Sequence, residues 1–66
     1  MKQYRVIAMH ELAKHTGSDF EKFSDPDKAK EWAITFGKKK GAEYVILSEK
    51  SQNRYNSYND IERIDL

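Results

Sequence analysis

Between Ser24 and Leu47 a single stretch carries its own start, periodicity and stop, which leaves the chain few folds to choose from. Ser24-Asp25-Pro26-Asp27 sets an N-cap candidate before a proline at the first helical position, where the missing N–H costs nothing. Ala29, Trp32, Ala33 and Phe36 then recur at the i, i+3, i+4, i+7 spacing of one helical face. Lys38, Lys39 and Lys40 occupy the last turn, where cations complement the partial negative charge of a helix C-terminus, and Gly41 supplies a left-handed stop. Only then does the apolar run Tyr44-Val45-Ile46-Leu47 begin. Gly37 lies on the apolar side of the helix, and close helix-to-sheet packing explains it better than ligand contact.

Around this block the rest reads as strands. Tyr4 to Met9 is rich in β-formers, and both alternating sets, Tyr4/Val6/Ala8 and Arg5/Ile7/Met9, are largely apolar, as in a central strand. His10 to His15 either continues this strand or forms a helical turn. Thr16-Gly17-Ser18-Asp19 is a turn signal, and with Asp19 to Ser24 as a short second strand it predicts a hairpin. Glu43 to Lys50 is the clearest strand. Arg54 to Asn59 reads as a loop or a twisted edge strand, and Asp60 to Leu66 as a last strand.

The expected fold is therefore α+β, one domain over residues 1–66, with element order ββαβ(β). Short connections make the helix antiparallel to the strands on either side of it. If strand one lies between strands two and three, every neighbouring pair becomes antiparallel, giving the order 2-1-3-4 with one helix across one face. The expected core is Val6, Ile7, Ala8, Met9, Phe20 or Phe23, Ala29, Trp32, Ala33, Phe36, Val45, Ile46, Leu47 and Ile61 or Ile64. At 66 residues, folding hides only about 60% of the unfolded chain's surface, so marginal stability or support from a partner is expected.

Chemical signatures are sparse. His10 and His15 are five apart, which on a helix turns the second ring about 500° and on a strand sends the two rings to opposite faces. Either geometry defeats a shared metal. The serines lack a glycine-framed elbow, the three glycines are too dispersed to cradle phosphate, and the acids are scattered among lysines. No catalytic, metal or cofactor site is expected. Twelve basic and eleven acidic residues nearly cancel, so any electrostatic role is local. The chain has no cysteine, which favours a reducing, cytoplasmic setting. The four consecutive apolar residues near the start fall short of the about 7–15 of a secretory signal or the about 20 of a membrane helix.

Two patches remain as contact candidates. Lys38, Lys39 and Lys40 first serve the helix terminus, and beyond that offer cations to phosphates or an acidic protein patch. Arg54, Tyr55 and Tyr58 combine residue types favoured at protein hot spots, with structural filling or base stacking as alternatives.

The layout, with a strand from Lys2-Gln3-Tyr4-Arg5-Val6-Ile7, a polar turn at Thr16-Gly17-Ser18, an alanine-bearing helix at Ala29-Lys30, then Val45-Ile46 and a tyrosine-rich tail, resembles small phage-encoded inhibitors. Some anti-CRISPR proteins and the host RNA-polymerase inhibitors of short-tailed phages share that plan. The likeness covers nearly the whole chain as layout, and no motif transfers a functional residue. It implies non-enzymatic docking on a host protein or nucleoprotein complex, such as a CRISPR effector or RNA polymerase. The near-neutral charge departs from acidic DNA-mimicking members. A small nucleic-acid-binding module with a basic and aromatic surface is the alternative.

Overall fold

The computed structural model describes residues 1–12, 14–51 and 57–66. Strands β1 (Lys2–His10) and β2 (Lys14–Phe23) precede helix α1 (Pro26–Lys39), which is followed by β3 (Tyr44–Lys50) and β4 (Tyr58–Asp65). The four strands form one sheet in the order β2-β1-β3-β4, with every neighbouring pair antiparallel. The doubly apolar β1 is central, and α1 carries the chain across one face from β2 to β3.

The helix begins and ends as its sequence dictates. Asp25 is the N-cap, in extended conformation, and its carboxylate accepts the Asp27 backbone N–H at 2.9 Å while Pro26 opens the helix. At the other end Gly41 has φ +69°, its N–H donates to the Lys38 carbonyl, and the Ala42 N–H reaches the Gly37 carbonyl at 2.9 Å. This is a Schellman cap, closed by a residue that tolerates positive φ.

Small residues form the midline of the helix contact. Ala29, Ala33 and Gly37 are buried, four residues apart, against Tyr4, Val6 and Ala8 of β1, Val45 and Leu47 of β3, and Ile64 of β4. A Cβ added to Gly37 would overlap Val45 Cγ1 and come within 2.6 Å of Leu66 Cδ1. The backbones therefore approach too closely there for any side chain. The larger helix residues, Trp32 and Phe36, are half-buried and pack at the rim. Phe23 links Tyr4 and Trp32, with ring centroids 6.2 and 5.4 Å away.

Two expectations require correction. The hairpin turn falls at Glu11 and Leu12 rather than at Thr16 to Asp19, so β2 begins at Lys14 rather than Asp19. Its polar, glycine-bearing start belongs to an exposed edge strand. Gly17 lies opposite Ala8, where an added Cβ would meet Lys40 Cε at 3.3 Å and Phe36 Cζ at 3.6 Å. Thr16 is the extra residue of a bulge, and its hydroxyl donates to the Ala8 carbonyl at 3.2 Å. Glycine and hydroxyl here mark close packing and a bulge, the same residue types a turn would use.

The core is also narrower than expected. Ile7, Met9 and Ile46 alternate with the core residues of their strands, so they point away from the helix and stay half-buried. Of the paired alternatives Phe23 and Ile64 pack inward, whereas Phe20 and Ile61 are each 49% exposed. Tyr4, taken at sequence level only as part of the strand pattern, is a buried core residue.

Candidate binding face

Because α1 covers only one side of the sheet, the other side carries a second set of side chains. Antiparallel register puts Gln3, Arg5, Ile7 and Met9 of β1 beside Lys22, Phe20, Ser18 and His15 of β2. On the other flank Arg5, Ile7 and Met9 face Ser48, Ile46 and Tyr44 of β3. Lys50, Ser48, Ile46 and Tyr44 in turn face Tyr58, Asp60, Arg63 and Asp65 of β4. The face thus has an apolar centre, Ile7, Met9 and Ile46, bordered by aromatic rings and cations.

At one end these groups interlock. The Tyr58 ring reaches across the sheet to Phe20, with centroids 5.6 Å apart, and the Arg5 guanidinium sits 4.8 Å from the Tyr58 centroid. Gln3 Nε2 donates to the Tyr58 hydroxyl at 2.7 Å. Beneath them Ser48 is fully buried; its hydroxyl donates to Asp60 Oδ1 at 2.7 Å and accepts from Arg5 Nη2 at 3.3 Å. Arg5 and Asp60 also form an ion pair at 3.6 Å. This network answers the polar groups that a one-layer sheet would otherwise expose to apolar neighbours, with one exception. Arg5 Nε is buried and has no hydrogen-bond acceptor among the described residues. At the other end the Arg63 guanidinium lies 3.8 Å from the Tyr44 ring centroid and its Nε bonds Asp65 at 3.0 Å.

The sequence candidates are dispersed by this geometry. Tyr58 belongs to the uncovered face, whereas Arg54 and Tyr55 lie outside the described residues. Lys38, Lys39 and Lys40 are exposed at the helix C-terminus, on the opposite layer and next to the far end of β1. Lys40 has a local occupation, its ammonium 5.6 Å from the Phe36 ring centroid and its stem over Gly17. The lysines and Tyr58 therefore do not form one surface. Sequence reasoning misses Phe20, Arg5 and Gln3 as surface candidates; the signal for Gln3 and Arg5 is the second alternation of β1, which reads only as a mark of a central strand, and Phe20 joins them only through the register of β2.

The histidines do not converge. His10 Nδ1 accepts the Leu12 N–H at 3.2 Å and lies 3.8 Å from Glu43 Oε1, while His15 is exposed on β2. Among the described residues no group of three or more His, Asp or Glu side chains is placed to hold a metal ion, and no helix is long and apolar enough to cross a membrane. Compared with protein-family models, curated proteins and solved structures, the chain finds no match in any of the three.

Proposed function

We propose that this chain is a non-enzymatic binding domain that docks on a larger host protein or nucleoprotein complex through its uncovered sheet face. The observation that carries this reading is the composition of that face. Half-exposed Phe20 accompanies Ile7, Met9, Tyr44, Ile46 and Tyr58 on a side that no second layer covers among the described residues. Aromatic and arginine side chains concentrate binding energy because they bring large, stiff contact area with a polar end. The interlocked Phe20, Tyr58, Arg5 and Gln3 cluster lowers the entropy lost on docking, since these groups are already held. A rigid sheet seated on a partner occupies the surface that a substrate or moving part would need, which is the action of a small inhibitor. The layout likeness to phage-encoded inhibitors supports that action, and the cysteine-free composition fits a cytoplasmic setting.

The test is hydroxyl-radical footprinting of the complex recovered from lysate of the producing cell. Protection of Met9, Phe20 and Tyr58, with Trp32 and Phe36 unchanged, is expected. Protection confined to the helix side, or a chain that emerges alone, overturns the reading.

A further inference from the structure

We infer that the uncovered face takes single-stranded DNA, with its first base seated beside Phe20. This rests on the binding reading above and names the partner chemistry of the same face. Three observations converge on it.

The first is charge. The two acids that share the face by register, Asp60 and Asp65, are each committed to an arginine, at 3.6 Å from Arg5 and 3.0 Å from Arg63. Lys22 and Lys50 share the face and have no carboxylate partner among the described residues. Glu21, which reaches the Phe20 end of the face, is one further acid. Arg5, Lys22, Lys50 and Arg63 still outnumber Asp60, Asp65 and Glu21, so a chain that is nearly neutral overall presents net positive charge on this side, complementary to a phosphate backbone.

The second is shape. A shallow groove of about 230 Å³, lined by Gln3, Phe20, Glu21 and Lys22, opens at the Phe20 end of the face. It is smaller than the about 300 Å³ at which sites for drug-sized ligands begin, and suits one planar ring system. A base stacked on Phe20 brings its edge to Gln3, whose amide nitrogen is held by Tyr58 and whose carbonyl oxygen remains to accept from an exocyclic amino group. Lys22 then stands at the backbone.

The third is accessibility of the bases. Stacking on Phe20 and then along the sheet toward Tyr44 requires unstacked bases, which a duplex does not offer. Between the rings lie Ile7, Met9 and Ile46, against which a 2′-hydroxyl would lose its water without gaining a hydrogen-bond partner, so DNA is favoured over RNA.

Fluorescence anisotropy with a labelled mixed-sequence DNA strand of about twelve nucleotides tests the assignment. Binding at about 50 mM salt is expected, with a duplex of the same sequence at least ~10-fold weaker and RNA no tighter than DNA. Two uncompensated lysines predict a slope of log affinity against log salt of about −1.4, falling to about −0.7 in Lys22→Gln. Phe20→Ala should weaken binding roughly 5- to 150-fold. Phe20→Leu keeps the apolar volume and removes only the stacking ring, so it should also bind weakly while its circular dichroism matches the parent. Equal binding by Phe20→Leu, equal affinity for the duplex, tighter binding of RNA, or no binding at the low salt overturns the inference. If no strand binds while nuclease-treated complex still protects Met9, Phe20 and Tyr58, the DNA assignment fails and the binding reading stands. If that protection is also missing, both fail.

Discussion

Replacing Gly37 by alanine sets two effects of opposite sign against each other. In an isolated helix the change is favourable by about 1 kcal/mol, because alanine loses less backbone freedom on ordering. Here the new methyl meets Val45 Cγ1 and Leu66 Cδ1. Leu66 is 40% exposed and can swing aside. Val45 is fully buried between Ala8 and Ile64, and its branched side chain has restricted χ1 freedom and no open space to turn into, so the backbones must part. Overpacking of this kind costs about 1–3 kcal/mol, and the rigidity of Val45 argues for the upper half. The net expectation is a loss of about 1–2 kcal/mol, a fall in Tm of roughly 5–15 °C for a domain of this size. Urea and thermal unfolding measure it. The same change in a Val45→Ala background, where Cγ1 is gone, should become neutral or stabilising, giving a coupling of about 2 kcal/mol. A Gly37→Ala protein that is more stable than its parent would refute close helix-to-sheet packing.

Other substitutions separate the parts of the scaffold. Asp25→Ala removes the acceptor of the Asp27 N–H and should cost about 1 kcal/mol in thermal unfolding, with Asp25→Asn close to the parent. Gly41→Ala meets no atom within 4 Å, so its expected loss of about 1 kcal/mol comes from backbone strain at φ +69° alone, and Gly41→Asn should recover part of it. Lys38→Gln with Lys39→Gln should lower stability by only about 0.5 kcal/mol through the helix terminus and leave binding by the sheet face unchanged, as read by anisotropy.

The scaffold was legible where one residue type has one physical use. Asp25-Pro26 opens a helix, Gly41 after a basic turn closes it, and a strand apolar on both sides belongs inside a sheet; each of these stands in the structure. Legibility failed where a residue type has several uses. Gly17 and Thr16 read as a turn but serve a close approach and a bulge. Ile7, Met9 and Ile46 read as core because hydrophobicity does not say which face a second layer will cover, and one helix covers only one. The cluster of Phe20, Tyr58, Arg5 and Gln3 joins three strands separated by up to 55 positions in sequence, a proximity that no local pattern encodes. Tyr58 was visible as a candidate by residue type alone; its neighbours became visible only with strand order and register. The lysine run was visible for the same reason, and the fold assigns it to the other layer.

The central claim is that the uncovered face does the binding. Methyl and aromatic NMR of labelled protein, titrated with the single DNA strand, tests it most directly. The account predicts that Ile7, Met9 and Ile46 methyl signals and the Phe20 and Tyr58 ring signals shift, while those of Ala29, Ala33 and Trp32 stay in place. Shifts centred on the helix and on Lys38 to Lys40, with the sheet-face signals unmoved, would contradict it.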